Sequence, residues 1–207
     1  QDHNQIRQLA EKAQDEALTA IAQTLAENSR VLIVNPTSFD GSRVGFLPDS
    51  IEDGLVDESN QLGVATQIVD GGTLLNLSNI MPYSFTSLST GNGVTNTDEL
   101  SIQETNGKFI VENALIRVAF ASNGDITSMY DKEAEREVLA KGEVGNALLA
   151  MEDRPTNYDA WDIDIYYEDR VGKIDGIETI KIIEQGPIRA ALLIKRSYRK
   201  STIIQKI

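Results

Sequence analysis

Residues 157–164 read NYDAWDID and gather Asp159, Asp162 and Asp164 around Trp161, the chain's single tryptophan. Two readings of such a cluster compete. An indole covers the apolar C–H face of a sugar while carboxylates accept its hydroxyl hydrogen bonds. Alternatively, the acids simply wet the outer face of a β-domain. If residues 161–167 form a strand, Trp161, Ile163 and Ile165 point to one side and Asp162, Asp164 and Tyr166 to the other. Carboxylates at i and i+2 then stand about 7 Å apart. That spacing suits a bracketed polyol or an acid/base pair. A calcium loop fits less well, because the glycine and distant glutamate of an EF-hand are missing at their required offsets.

Other chemistry is narrowed by what the chain contains. With no cysteine, thiol catalysis, disulfides and thiolate metal sites are excluded. The same count fits an intracellular, cytoplasmic origin. The one histidine, His3, reads as a solvated residue near a helix start, and a zinc site wants several imidazole or thiolate ligands. A Ser-His-Asp arrangement would have to recruit that same residue. The net charge of −13 argues against nucleic acid, whose phosphates need a basic patch. No long apolar run is present to span a membrane. VDGGTLL is a two-glycine turn without the strand-to-helix setting of a phosphate loop. Arg117 reads as one half of a cross-strand ion pair. Of Tyr158, Tyr166 and Tyr167, at least one is expected in the core.

The elements that must position these residues are mostly strands. Residues 5–27 repeat apolar positions at three- and four-residue spacing (Ile6, Leu9, Ala10, Ala13, Ala17, Ile21, Leu25), which predicts an amphipathic helix. Its apolar stripe requires partners. From Arg30 the pattern turns extended: VLIVNPTSF closes at Asn35-Pro36, and VGFL, QLGVATQIVDG, TLLNL and YSFTSL follow between turn residues. Residues 87–99 are polar and rich in Gly and Asn, and read as a loop or linker. KFIVENALIRVAFASNGDITSMYD predicts two or three strands with a hairpin signal at Asn123-Gly124. EAEREVL has the composition of a helical turn. Two strands flank Gly186-Pro187, and residues 201–207 begin another. The chain opens at Gln1 on a helical pattern and ends on STIIQKI without a terminating turn, so both ends read as cut from a longer protein.

The series ENALIRVAFASNGDITSMYDKEAEREVL, then GN at 145–146, then EDRPTNYDAWDID resembles the post-catalytic region of glycoside hydrolase family 38 α-mannosidases. VNPTSFDGSRVG is similar to that family's Asn-Pro segment, and STIIQKI to its Ser-x-Ile-x-Gln strand. The resemblance covers most of residues 31–207. It implies a mainly β architecture. Residues 1–29 would be the last helix of a truncated bundle, 30–98 a small β-sandwich module, and 99–207 the N-terminal part of a galactose-mutarotase-like β-supersandwich.

It also implies a parent enzyme that hydrolyses α-mannosides with retention, using a zinc ion and an aspartate nucleophile. Its partner would be an α-mannoside or mannose-containing glycan, and a homo-oligomeric parent is compatible with the pattern. No His-x-Asp or His-His-Asp motif occurs here, so no catalytic residue and no metal ligand carry over. What carries over is the loop: Asp159, Trp161, Asp162 and Tyr166 would rim the parent's sugar pocket. A stand-alone carbohydrate-binding module and a purely structural β-domain are the alternatives.

Overall fold

The computed structural model describes residues 2–25, 29–93, 100–158 and 161–207. It is mainly β, as the resemblance implies, with a single long helix at the start. The chain divides into two compact units, Gln1–Asn96 and Thr97–Ile207.

In the first unit, α1 (Asp2–Ala22) is followed by β1 (Ser29–Asn35), β2 (Gly41–Leu47), β3 (Leu55–Asp57), β4 (Gly63–Val69), β5 (Gly72–Ile80) and β6 (Ser84–Thr90). The strands form one sheet in the order β1-β6-β3-β4-β5-β2. Its core is aliphatic: Val31, Ile51, Leu55, Leu75, Leu77, Ile80 and Leu88 are buried together. Asn35, itself buried, closes β1. Its Nδ2 donates to the carbonyls of Phe39 (2.8 Å) and Met81 (2.9 Å), and its Oδ1 accepts the Thr37 N–H and hydroxyl. Every polar atom of this side chain is used, and Pro36 then takes the backbone out of the ladder.

Two expectations for this unit need correction, the helix end and the linker. The helix ends at Ala22, and residues 23–25 are a turn in which Thr24 and Leu25 N–H groups bond back to Ile21 and Ala22 carbonyls. No residue of α1 is buried; Ile6 and Leu9 are each 64% exposed. Residues 87–90 are strand rather than linker, because Leu88 is a core residue whose neighbours pair with both β1 and β3. Strand β3 escapes sequence reading because three residues are too few to show a period.

The second unit holds β7 (Ser101–Thr105), β8 (Lys108–Glu112), β9 (Ile116–Phe120), β10 (Ile126–Asp131) and β11 (Arg136–Glu137), paired as β11-β10-β9-β8-β7. Next come β12 (Leu149–Met151), a 3-10 helix (Ile165–Arg170) and β13 (Val171–Lys173), the two strands pairing with each other. Finally β14 (Ile177–Gln185), β15 (Ala190–Tyr198) and β16 (Ser201–Lys206) make a three-stranded sheet. Phe109, Val118 and Phe120 of the five-stranded sheet share a core with Leu192, Ile180 and Ile182 of the three-stranded one. That shared core is the sandwich-like packing of this unit.

Turn chemistry here departs from expectation in an instructive way. Asn106 and Gly107, between β7 and β8, both have positive φ (52° and 72°) and form the two-residue hairpin loop. At the expected hairpin, between β9 and β10, only Gly124 is left-handed (φ 78°), and residues 121–125 make a longer turn closed by the Ala121 N–H to Asp125 C=O bond (2.9 Å). The EAEREVL segment is no helical turn. Asp131 Oδ1 accepts the Glu133 and Ala134 N–H groups, Glu135 takes φ 50°, and Arg136–Glu137 return as β11. Arg117 pairs with Glu112 across the β8–β9 ladder, as its place in a strand suggests (3.5 Å).

Candidate functional site

Residues 152–170 form the excursion that connects β12 to β13 within the second unit, and the acidic cluster lies in it. The strand expected over 161–167 does not form, because this segment has no ladder partner. Instead Tyr158, in a left-handed conformation (φ 57°), offers its carbonyl to the N–H groups of Trp161 (2.8 Å) and Asp162 (3.2 Å). A 3-10 helix then carries Tyr166. The alternation of Asp162, Asp164 and Tyr166 on one face is therefore lost. Asp164 Oδ2 accepts the Thr156 N–H at 2.6 Å and ties the loop to itself.

Of the four residues assigned to a saccharide, Asp159 lies outside the described residues. Trp161 is 92% exposed, Asp162 is exposed, and Tyr166 is 57% exposed. None of the three tyrosines is buried: Tyr158 and Tyr166 are exposed and Tyr167 is half-buried, so the expected core tyrosine is absent. Tyr166 shares a shallow hollow of about 290 Å³ with Glu152, Arg154, Asp169 and Arg170. Glu152 there is paired with Arg154, whose Nε donates at 2.6 Å, and with Arg170 Nη1 at 2.7 Å. These guanidinium bonds, Arg154 first, hold the Glu152 carboxyl below its usual range. The hollow is a mixed acid–base rim with one phenol, chemically suited to hydroxyl-rich ligands.

Among the described residues, no donor set is arranged to hold the zinc implied for a parent enzyme. His3 is exposed on α1, and no group of three or more His, Cys, Asp or Glu side chains is arranged to hold a metal among the described residues.

A buried polar cluster went unassigned in the sequence reading. Asp125 and Arg196 are 3% and 1% exposed. Asp125 Oδ2 accepts from Lys173 Nζ (2.5 Å) and Asn123 Nδ2 (2.8 Å), and Arg196 Nη2 donates to the Asn123 carbonyl (2.9 Å). Beside it, Asn146 Nδ2 donates to the Gly124 carbonyl and its Oδ1 accepts from Gln205 Nε2, both at 2.8 Å. Asn123-Gly124-Asp125, Asn146 and Gln205 are members of the SNGD, GN and Ser-x-Ile-x-Gln motifs. Distant parts of the sequence pattern thus meet in one hydrogen-bonded cluster. The signal was present as a pattern, but spacings of 22 and 59 residues conceal who bonds to whom.

Comparison with known proteins agrees with this pattern. Residues 111–207 match the family described as "Glycosyl hydrolases family 38 C-terminal domain". "Alpha-mannosidase G" of Dictyostelium discoideum is 29% identical over 174 residues, covering 78% of this chain and 16% of that protein. "Alpha-mannosidase 2C1" of Homo sapiens is 33% identical over 91 residues, 44% of this chain and 9% of its own length. The Mus musculus protein of the same name is 32% identical over 91 residues. The chain thus spans a small part of the curated relatives it matches. With the GN and Ser-x-Ile-x-Gln residues joined in one cluster inside the matched span, residues 111–207 are similar to the C-terminal domain of glycosyl hydrolase family 38.

Proposed function

We propose that this chain is the non-catalytic middle-to-C-terminal segment of an α-mannosidase, and that its 157–164 loop rims the sugar pocket of that larger enzyme. The parent would carry out retaining hydrolysis of α-mannosides, acting on mannose-containing glycans with a zinc ion held by residues outside this chain. The supporting observation is Trp161, an indole 92% exposed at the turn of the loop. So large an apolar surface left to water is characteristic of a recognition side chain.

On this reading Trp161 lies against the C–H face of a mannose ring, and Asp159 and Asp162 accept hydroxyl hydrogen bonds. Tyr166 adds a phenol at the rim of the hollow. None of these side chains takes part in bond cleavage. They hold the ring in place, which raises kcat/KM by orienting the glycosidic bond.

The test is aryl α-mannoside hydrolysis by the longer enzyme with Trp161→Ala and Asp162→Ala. Each substitution should lower kcat/KM about 10-fold or more, a loss of roughly 1.4 kcal/mol of transition-state binding, with an unchanged melting temperature. Unaltered kinetics in both variants would remove the loop from the pocket. The same exposed indole supports a second reading, a carbohydrate-binding module that works without chemistry. Saturable mannoside binding by the 207-residue chain, abolished by Trp161→Ala, would favour it.

A further inference from the structure

The excursion that carries Trp161 stands on a narrow base. Its ends meet where Leu149, Ala150 and Met151 pair with Lys173, Gly172 and Val171, and the Glu152–Arg170 ion pair lies just beyond. One bond on each side extends this ladder: the Glu152 N–H to the Arg170 carbonyl (3.2 Å) and the Ile174 N–H to the Leu148 carbonyl (2.9 Å). Strands β12 and β13 pair with no other strand among the described residues. An isolated two-stranded ribbon is marginal at best in water, so its position must be fixed by something else.

That support comes from Lys173, the last residue of β13. Its ammonium reaches Asp125, 48 residues earlier in the β9–β10 turn, with Nζ 2.5 Å from Oδ2. The Asp125 carboxylate is only 4% exposed, and a buried carboxylate demands partners. Asn123 supplies a neutral one at 2.8 Å. Arg196 Nη2 stands 3.9 Å from Oδ1, near enough to help by charge but beyond hydrogen-bond reach. Lys173 is therefore the cation that hydrogen-bonds this carboxylate, and Asp175, 3.6 Å from the same ammonium, is a more exposed competitor.

We propose that the Asp125–Lys173 pair is the clasp that positions the Trp161 loop on the sandwich. The two are positioning residues, and their consequence for turnover rests on the saccharide reading given above. Pulling Lys173 toward the β9–β10 turn orients β13, the β12–β13 ladder follows, and residues 152–170 project from a fixed base.

Hydrogen exchange on the 207-residue chain tests this directly, comparing wild type with Lys173→Met and Lys173→Arg. Lys173→Met should speed exchange at residues 149–151 and 171–174 by at least ~10-fold, with residues 63–80 unaffected. Lys173→Arg keeps the charge and should restore most of the protection. Unchanged exchange at the loop base, or a uniform rise across residues 97–207, would overturn the clasp. Aryl α-mannoside hydrolysis by the longer enzyme runs beside it with Lys173→Met and Trp161→Ala. A parallel loss of kcat/KM in both supports a clasp that serves the pocket. If exchange rises at the base but Trp161→Ala leaves kcat/KM intact, the clasp stands and the saccharide reading fails.

Discussion

Asn146 shows how one residue can join three stretches of chain. It holds φ at 53°, a conformation in which asparagine is several-fold enriched over most residues. Its amide bonds the Gly124 carbonyl on one side and Gln205 on the other. Asn146→Ala keeps the strained backbone and leaves both partners unsatisfied. It should lower unfolding free energy by about 1–3 kcal/mol in urea denaturation. Asn146→Gly loses the same bonds but relaxes the backbone, so it should fall between alanine and wild type. A glycine variant as stable as wild type would mean that the side-chain bonds contribute nothing. The residue itself was legible in the sequence as half of the GN motif; its partners were not, since nothing local points 22 residues back or 59 forward. Trp161 is the opposite case. Its grouping with aspartates was plain in the sequence, whereas strand and loop could not be told apart there, because alternating acids look alike in a ladder and in a loop.

Strands with strong apolar runs were readable from sequence, and short or polar ones were not. SRVLIVN, GVATQIV and AALLIKRSY announce β1, β4 and β15, whereas SIQET offers Ile102 alone to mark β7 at the edge of its sheet. Polar edge strands are expected to look this way, since one side of the ladder stays in water. Hairpins follow a similar logic. An Asn-Gly pair signals a turn, but the register of the flanking strands decides whether both residues or only the glycine become left-handed. Gly124 shows the difference by what surrounds it. A Cβ there would stand 2.6 Å from Arg196 Nη2 and 3.0 Å from Ile194 Cδ1, whereas at Gly71, also left-handed (φ 83°), nothing lies within 4 Å. Gly71→Ala should therefore cost only the backbone penalty, about 1–2 kcal/mol. Gly124→Ala should cost more, because Arg196 must also leave its bond to the Asn123 carbonyl. Calorimetric melting of the two variants checks the ordering. Equal shifts would show that the Arg196 guanidinium yields without penalty.

Across the whole molecule, the charge of −13 is the property most open to sequence reading, but where its acids are stabilised depended on the fold. Among the described residues, four glutamates held below their usual carboxyl range, Glu112, Glu137, Glu152 and Glu184, all fall in the second unit. Their causes differ: the Lys132 ammonium at Glu112, the Ser128 hydroxyl at Glu137, Arg154 at Glu152, and Arg189 ahead of Lys206 at Glu184. The first three are exposed or nearly so, and solvent screening leaves them little weight. Glu184 is different, with its side chain 7% exposed and a two-pronged Arg189 contact at 2.5 and 2.9 Å. A carboxyl whose folded pKa is depressed stabilises the fold fully above its unfolded value, about 4.3, and that contribution disappears as pH falls through the folded value. The second unit should therefore lose stability as pH falls below about 4.3, and Glu184→Gln should flatten that dependence while lowering stability at pH 7. The Lys173 contribution runs the other way: raised by Asp125, it is fully present below about pH 10.4 and is lost as pH rises through the folded value. Urea denaturation across the acid range, followed by hydrogen exchange in residues 177–206, measures the effect. A Glu184→Gln chain with the same acid slope as wild type would place the acid sensitivity elsewhere among the carboxylates.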